Sequence, residues 1–139
     1  MGVNMLISSL KIKNYRGLDI NIDTIEKVSI IIGQNDSGKT NICSAIMKVL
    51  DYNKRRIPFI LTDSTNSNKE DIEIEITLTA DDLSKEQLAL IGNYIHIKDD
   101  KKYIIVKLIS KFNEDTLEYE DTLFYGNTEM DFEEVRINT

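Results

Sequence analysis

Residues 33 to 40 read Gly-Gln-Asn-Asp-Ser-Gly-Lys-Thr and directly follow the apolar run Val28–Ile32. This spacing is the G-x-x-x-x-G-K-[ST] pattern of a loop that binds phosphate groups, with a strand before it and a helix after it. Backbone N–H groups of such a loop converge on phosphate oxygens, and glycine lets the main chain come close because it has no Cβ. The chemistry predicted for this segment is nucleotide binding.

Within the loop, individual residues have predicted roles toward a nucleotide and its metal. Lys39 would reach the β- and γ-phosphates, and the Thr40 hydroxyl would bind Mg²⁺. The strand and helix around the motif disfavour a chance match, whereas a loop retained without activity stays open. We expect the nucleotide to be held by Gly33, Gln34, Asn35, Asp36, Ser37, Gly38, Lys39 and Thr40.

The segment after the loop has the periodicity of an amphipathic helix. Its apolar residues recur at i, i+3, i+4, i+7 and i+8, namely Ile42, Ala45, Ile46, Val49 and Leu50. A helix that begins near Lys39 and ends near Asp51 would direct its N-terminal N–H groups and its positive dipole end at the phosphates. Asn41, Ser44 and Lys48 are predicted to lie mostly on the opposite side.

Composition limits the class of protein. The length of 139 residues predicts a single domain. The net charge of −7 and the pI near 4.7 argue against strong nucleic-acid binding by this segment alone. No apolar run approaches the roughly 20 residues that a membrane span needs. The lone Cys43 cannot form an internal disulfide, which agrees with a reducing compartment. We expect a cytoplasmic protein without membrane contact.

The remaining patterns predict mainly β-structure. Alternation of apolar and polar residues predicts a hairpin of two strands joined at Arg16-Gly17, and then three later strands. The predicted strands are 6–15, 18–22, 72–78, 103–109 and 116–125, with a turn at 113–115. Residues 79–91 are predicted to be helical because Ser84 and Gln87 have capping-box spacing.

The other segments carry weaker patterns. Residues 52–71 contain the only proline and the polar run 62–68, which predicts a mobile surface loop. The residues from Gly126 onward are predicted to form a polar tail. His96 has no accompanying constellation and is interpreted as structural or surface-exposed, and Glu73 with Glu75 as a solvated acidic face. No residue is predicted to be catalytic.

The order of hairpin Leu10–Leu18, strand and loop Gly33–Asn41 resembles the start of ABC-type ATPase heads. It is most similar to the OLD (overcoming lysogenization defect) family and its RecF- and SMC-like relatives. In those proteins the opening strand ends in an aromatic–Arg pair, here Tyr15-Arg16. Their phosphate loop commonly carries Asn at its third position and after the Thr, here Asn35 and Asn41.

The resemblance implies that the loop binds ATP and Mg²⁺, with Arg16 and Asn41 near the nucleotide. It also implies that hydrolysis needs a second protomer, so that a homodimer or a partner chain completes the site. OLD proteins join the ATPase to a Toprim nuclease, and many act in defence against phage. DNA would be contacted only through such a larger assembly.

The family pattern is followed only in part. No apolar strand after the loop ends in Asp-Glu as a Walker B site does, and no Leu-Ser-Gly-Gly-like signature is present. The resemblance therefore implies an α/β fold that corresponds to the N-terminal lobe of an ABC-type P-loop ATPase. In that lobe a mixed or mainly antiparallel sheet surrounds the Walker A helix, and the second lobe is incomplete.

This partial domain has four predicted parts, 1–51, 52–71, 72–125 and 126–139. We expect an ATP-binding segment that hydrolyses ATP poorly unless the Walker B and signature elements are supplied. It would be either a fragment or a short product that pairs with another chain. Two alternatives stay open, namely a stand-alone interaction or regulatory protein that retains the loop, and a small independent NTPase or kinase.

Overall fold

A twisted antiparallel sheet with one helix against its inner face makes up most of the structure. The computed structural model describes residues 7–23, 37–80, 84–86, 89, 94–128 and 131–134. The elements are β1 (Ile7–Tyr15), β2 (Leu18–Ile22), α1 (Ser37–Leu50), α2 (Tyr52–Arg55), β3 (Ile72–Thr79), β4 (His96–Lys98), β5 (Lys101–Asn113), β6 (Glu118–Thr128) and β7 (Asp131–Glu134). Two 3₁₀ turns, Leu61–Asp63 and Thr65–Ser67, precede β3.

Every strand pair in the described ranges is antiparallel, in the order β2-β1-β3-β5-β6-β7, with β4 also paired to β5. The prediction of a mainly antiparallel sheet is therefore confirmed, as is the hairpin of β1 and β2. The strands predicted at 72–78 and 103–109 are present and longer than predicted. The strand predicted at 116–125 is displaced to 118–128, and the turn predicted at 113–115 lies at 114–117 because β5 continues to Asn113. Within the described residues the fold is mostly sheet with few helices.

Period-two alternation sets the inner face of the sheet. In β3 the residues Ile72, Ile74 and Ile76 are fully buried, and the residues between them are partly exposed. The register places Leu10 beside Ile76 on one neighbouring strand and Leu108 beside Ile74 on the other. Because side chains alternate across a strand, one register brings all of these apolar residues to the same face.

Helix α1 packs on this inner face against β3 and β5. The predicted stripe is largely confirmed, since Ile42, Ala45, Ile46 and Val49 are buried. Leu50 is the exception, with 43% of its surface exposed. It is the last residue of the helix and lies about 80° around the axis from Ile42, so it falls at the margin of the stripe.

Lys48 contradicts the prediction that it lies on the solvent side of the helix. It is buried, with its ammonium 3.7 Å from a carboxylate oxygen of Asp121 in β6 and 4.5 Å from the centre of the Phe59 ring. Burial lowers the pKa of Lys48 and raises the pKa of Asp121, while the Ser110 hydroxyl donates to the same carboxylate. A long side chain at the edge of the stripe can reach a buried anion, and this pair joins α1 to β6.

The segment 52–71 makes tertiary contacts with the rest of the fold that its sequence does not predict. Asp63 and Ser64 are buried, and Ser64 forms a β-bridge with Tyr15, so the predicted surface position is wrong for both residues. The ring of Phe59 packs between those of Tyr15 and Tyr119. Tertiary hydrogen bonds and ring contacts thus bury residues that the polar sequence pattern predicts to be exposed. The mobility of this segment stays a prediction.

Some predictions were incomplete, and others fall outside the described residues. Strand β4 was not predicted, and the predicted polar tail contains strand β7, which pairs with β6. Of the predicted helix 79–91, Lys85, Glu86 and Ala89 are helical, and most of the rest lies outside the described residues. The prediction is wrong for Thr79, which pairs with Tyr103 as the last residue of β3. The predicted strand Val28–Ile32 also lies outside them.

The buried pair gives a test of the packing between α1 and β6. Replacing Asp121 with Asn leaves the Lys48 ammonium buried without an anion, and we expect it to lower the free energy of unfolding by about 3 kcal/mol. The double variant Lys48→Met with Asp121→Asn removes the stranded charge and should recover part of that loss. Urea unfolding measures both.

The matched control is Glu120→Gln on the exposed face of the same strand, which should change stability by no more than about 0.5 kcal/mol. Additive losses in the double variant would show that the two charges do not interact.

Candidate functional site

The predicted phosphate loop enters helix α1 directly. Gly33, Gln34, Asn35 and Asp36 lie outside the described residues, and α1 begins at Ser37, the fifth residue of the motif. The backbone of Ser37, Gly38, Lys39 and Thr40 thus forms the first turn of the helix. The first four N–H groups of a helix have no partner within it, so the motif places donors that the helix itself does not use at a positive dipole end.

Arg16 is brought to this end of the helix by the hairpin turn. Tyr15 pairs with Leu18 across the two-residue connection Arg16-Gly17, in which φ is 49° and 81°. Positive φ at both positions is the signature of a type I′ turn, whose twist matches that of the flanking strands. Glycine adopts this conformation readily, whereas Arg16 needs support from its surroundings.

The guanidinium of Arg16 connects two segments that are far apart in sequence. Its Nε and Nη2 lie 2.9 and 2.8 Å from the same oxygen, Oδ1, of Asp63. Its Nη1 donates to the side-chain oxygen of Asn41 at 3.3 Å, and its carbon stands 4.9 Å from the centre of the Tyr15 ring. Asn41 follows Thr40 directly, so the guanidinium is next to the first turn of α1.

Asp63 is itself held in place. Its second oxygen, Oδ2, accepts the backbone N–H of Ile60 at 2.9 Å, and its backbone carbonyl accepts the N–H of Arg16 at 2.7 Å. Two residues later, the Thr65 hydroxyl accepts the N–H of Gly17 at 3.0 Å. Segment 60–65 therefore forms hydrogen bonds with both residues of the hairpin turn.

Tyr15 fixes the same junction from the inner side. Its ring is buried, and its hydroxyl is 2.9 Å from the hydroxyl of Ser44 on α1. Burial raises the pKa of Tyr15, so the phenol stays protonated at neutral pH. The Tyr15-Arg16 pair was singled out in the sequence, but its partners Ser44 and Asp63 were not. They lie 29 and 47 residues from their partners, and no local spacing indicates such contacts.

Next to Arg16, a cleft of about 420 Å³ separates α1 from the segment 54–63. Its walls combine apolar side chains, Met47, Ile57 and Phe59 among them, with the cations Arg16 and Lys48.

His96 belongs to a different part of the fold. It lies on β4, stacks on Tyr103 with ring centres 5.4 Å apart, and has its pKa lowered by burial. Across the described ranges no group of three His, Cys, Asp or Glu residues is placed to hold a metal ion. In the same ranges no helix combines the length and the apolar composition that a membrane crossing requires.

Comparison with known proteins identifies the family of this chain. A family model described as an AAA ATPase domain matches residues 5–136. The chain belongs to the AAA ATPase domain family. Because the match covers nearly the whole chain, the hairpin, α1 and the β-strands all fall within this ATPase domain.

The chain is also similar to two curated proteins. Endonuclease GajA of Bacillus cereus (strain VD045) is 33% identical over 134 residues, which cover 88% of this chain and 21% of that protein. The DNA replication and repair protein RecF of Bacillus cytotoxicus (strain DSM 22905 / CIP 110041 / 391-98 / NVH 391-98) is 49% identical over 43 residues, which cover 30% of this chain and 12% of RecF.

This AAA ATPase chain thus spans 21% and 12% of the lengths of the two curated relatives. The resemblance to an OLD- and RecF-like ATPase head is confirmed by the family match and by these relatives. The roles of individual loop residues stay predictions.

The contact between Tyr15 and Ser44 can be tested by a double-mutant cycle. Tyr15→Phe removes one hydroxyl from a partly buried hydrogen bond, and we expect a loss of about 1 kcal/mol in the free energy of unfolding. Ser44→Ala should cost a similar amount. The double variant should cost less than the sum of the two, because the shared bond is lost only once. Strict additivity in denaturant unfolding would contradict the contact.

Proposed function

We propose that this chain binds ATP with Mg²⁺ as the first lobe of an OLD-like, ABC-type ATPase, with the Walker A helix α1 against the antiparallel sheet. The observation that supports it best is the start of α1 inside the Gly33–Thr40 motif, with the Arg16 guanidinium beside the first turn. Helix N–H donors and a guanidinium are both groups that bind phosphate oxygens.

The residues present fit this ligand. Backbone N–H groups from Gly33 through Thr40 would surround the phosphates, and Lys39 would add a point charge. The Thr40 hydroxyl would bind the Mg²⁺, which when present neutralises phosphate charge. Asn41 and Arg16 would lie at the edge of the site. The prediction of roles for Gln34, Asn35, Asp36 and Ser37 is retained in this proposal.

We further propose that the chain alone hydrolyses ATP poorly. Transition-state charge in phosphoryl transfer is stabilised by metal-bound acidic residues and by donors that reach the transferred group. No Walker B or signature sequence follows the loop in this chain. A second copy of this sequence would lack them too, so a partner that carries Walker B and signature elements would supply these groups. Membrane contact is not part of the proposal, and cytoplasmic localisation stays a prediction.

The link to DNA comes from the relatives. One is named an endonuclease and the other a DNA replication and repair protein. We propose that this chain serves a system of the same kind, in DNA processing or in defence against phage. Since its net charge is −7, DNA would be contacted through a larger assembly.

Calorimetric titration with ATP and Mg²⁺ tests the binding site. Wild-type protein should release or absorb binding heat, and Lys39→Ala should weaken binding at least about tenfold because a charge-assisted phosphate contact is lost. The control Lys85→Ala removes an exposed lysine elsewhere and should bind like wild type. Equal heats for wild type and Lys39→Ala would overturn the assignment of the loop.

Turnover tests the second part of the proposal. We expect phosphate release from ATP to remain near background for the isolated chain. A rate on the order of 1 per second or faster, typical of working enzymes, would contradict catalytic incompleteness, provided that Lys39→Ala abolishes it.

A further inference from the structure

The position of Arg16 creates an electrostatic problem that a neighbouring carboxylate resolves. Its guanidinium lies next to Asn41, within the first two turns of α1, where the helix dipole is positive. The positive end of the helix repels a guanidinium, so a long arginine side chain that is 40% exposed would favour other rotamers unless an anion compensated the repulsion.

Asp63 offsets this repulsion with an oriented negative charge. In the described part of the chain it is the carboxylate in contact with Arg16, and its side chain is only 10% exposed. One of its oxygens receives both guanidinium donors, and the other receives the Ile60 N–H. The carboxylate therefore cannot rotate without breaking a hydrogen bond, and it imposes its own orientation on the guanidinium.

We propose that Asp63 is a positioning residue for Arg16, holding the guanidinium at the start of α1 and thereby coupling segment 60–65 to nucleotide binding. This inference rests on the proposed function, since it requires a nucleotide at the loop. Asp63 holds the Arg16 guanidinium through two donors, so we infer that it acts through the arginine. Its role is orientation, because its charge alone would repel a phosphate.

The coupling has a reciprocal consequence. If an ordered Asp63–Arg16 contact improves nucleotide affinity, then bound nucleotide must stabilise that contact to the same degree. Backbone amides that depend on it, those of Arg16, Asp63 and Ser64, should then exchange with solvent more slowly when ATP and Mg²⁺ are present. A carboxylate with a merely structural role would leave their exchange unaffected by nucleotide.

A double-mutant cycle on the full chain separates positioning from charge. We expect Arg16→Ala to weaken ATP·Mg²⁺ binding about tenfold and Asp63→Asn to weaken it severalfold. In the Arg16→Ala background, Asp63→Asn should cause no further loss, because there is no arginine left to orient. Arg16→Lys, which keeps the charge but not the fork of donors, should also lose affinity. Glu70→Gln, an exposed carboxylate in the same stretch, serves as the control and should bind like wild type.

Each outcome decides the inference. If Asp63→Asn binds ATP more tightly than wild type, repulsion between the carboxylate and the phosphates outweighs positioning of Arg16. If Asp63→Asn lowers the affinity equally in the wild-type and Arg16→Ala backgrounds, it acts through the fold. Either result overturns the proposal. If Asp63→Asn binds ATP like wild type while Lys39→Ala binds it weakly, the positioning role of Asp63 is wrong and the proposed function still stands. If wild type and Lys39→Ala are alike in showing no binding, both proposals fail together. Hydrogen exchange at Asp63 and Ser64 that is unchanged by ATP would also contradict the coupling.

Discussion

The junction at the end of β1 is the constraint on which the candidate site depends. Two consecutive residues there face different parts of the molecule, because the strand ends in a type I′ turn. Tyr15 points to the inner face and contacts α1 through Ser44, while Arg16 turns toward Asp63 and Asn41. A single change of backbone direction thus fastens the hairpin, the loop helix and segment 60–65 to one another.

Ion pairs make the other long-range connections. Lys48 and Asp121 join α1 to β6, and Arg16 and Asp63 join the hairpin turn to the segment before β3. Burying Lys48 and Asp63 is costly unless each finds a partner, so these contacts tolerate few alternative arrangements. The Lys48–Asp121 pair adds a specific contact to the apolar packing of α1 on the sheet.

The family assignment gives these contacts a functional setting. An AAA ATPase domain needs its phosphate loop, its following helix and its sheet in a fixed relation, because catalytic and binding groups lose effect when misplaced by about 1 Å. In the described part of this chain, side chains near the turn at Arg16 and the apolar stripe of α1 fix the helix on the sheet. The residues predicted to bind phosphate are consecutive in sequence, but the groups around the start of α1 come from separate elements.

The sequence by itself determined the local features. Period-two alternation in β3 and period-3.6 repetition in α1 predicted both elements with nearly correct bounds, since burial of one face imposes those periods. The phosphate-loop motif and the Tyr15-Arg16 pair predicted the family in the same way. Strand β7 escaped prediction because its pairing with β6 is a non-local choice in a polar stretch.

Tertiary structure alone decided where the polar residues go. Lys48 and Asp63 look solvent-exposed in sequence, yet both are buried, because each meets an opposite charge from a segment tens of residues away. No periodicity encodes such a meeting, which depends on the register of the sheet and on how α1 lies across it. The sequence therefore determined which residues could bind a phosphate, and the fold decided which residues hold Arg16 beside them.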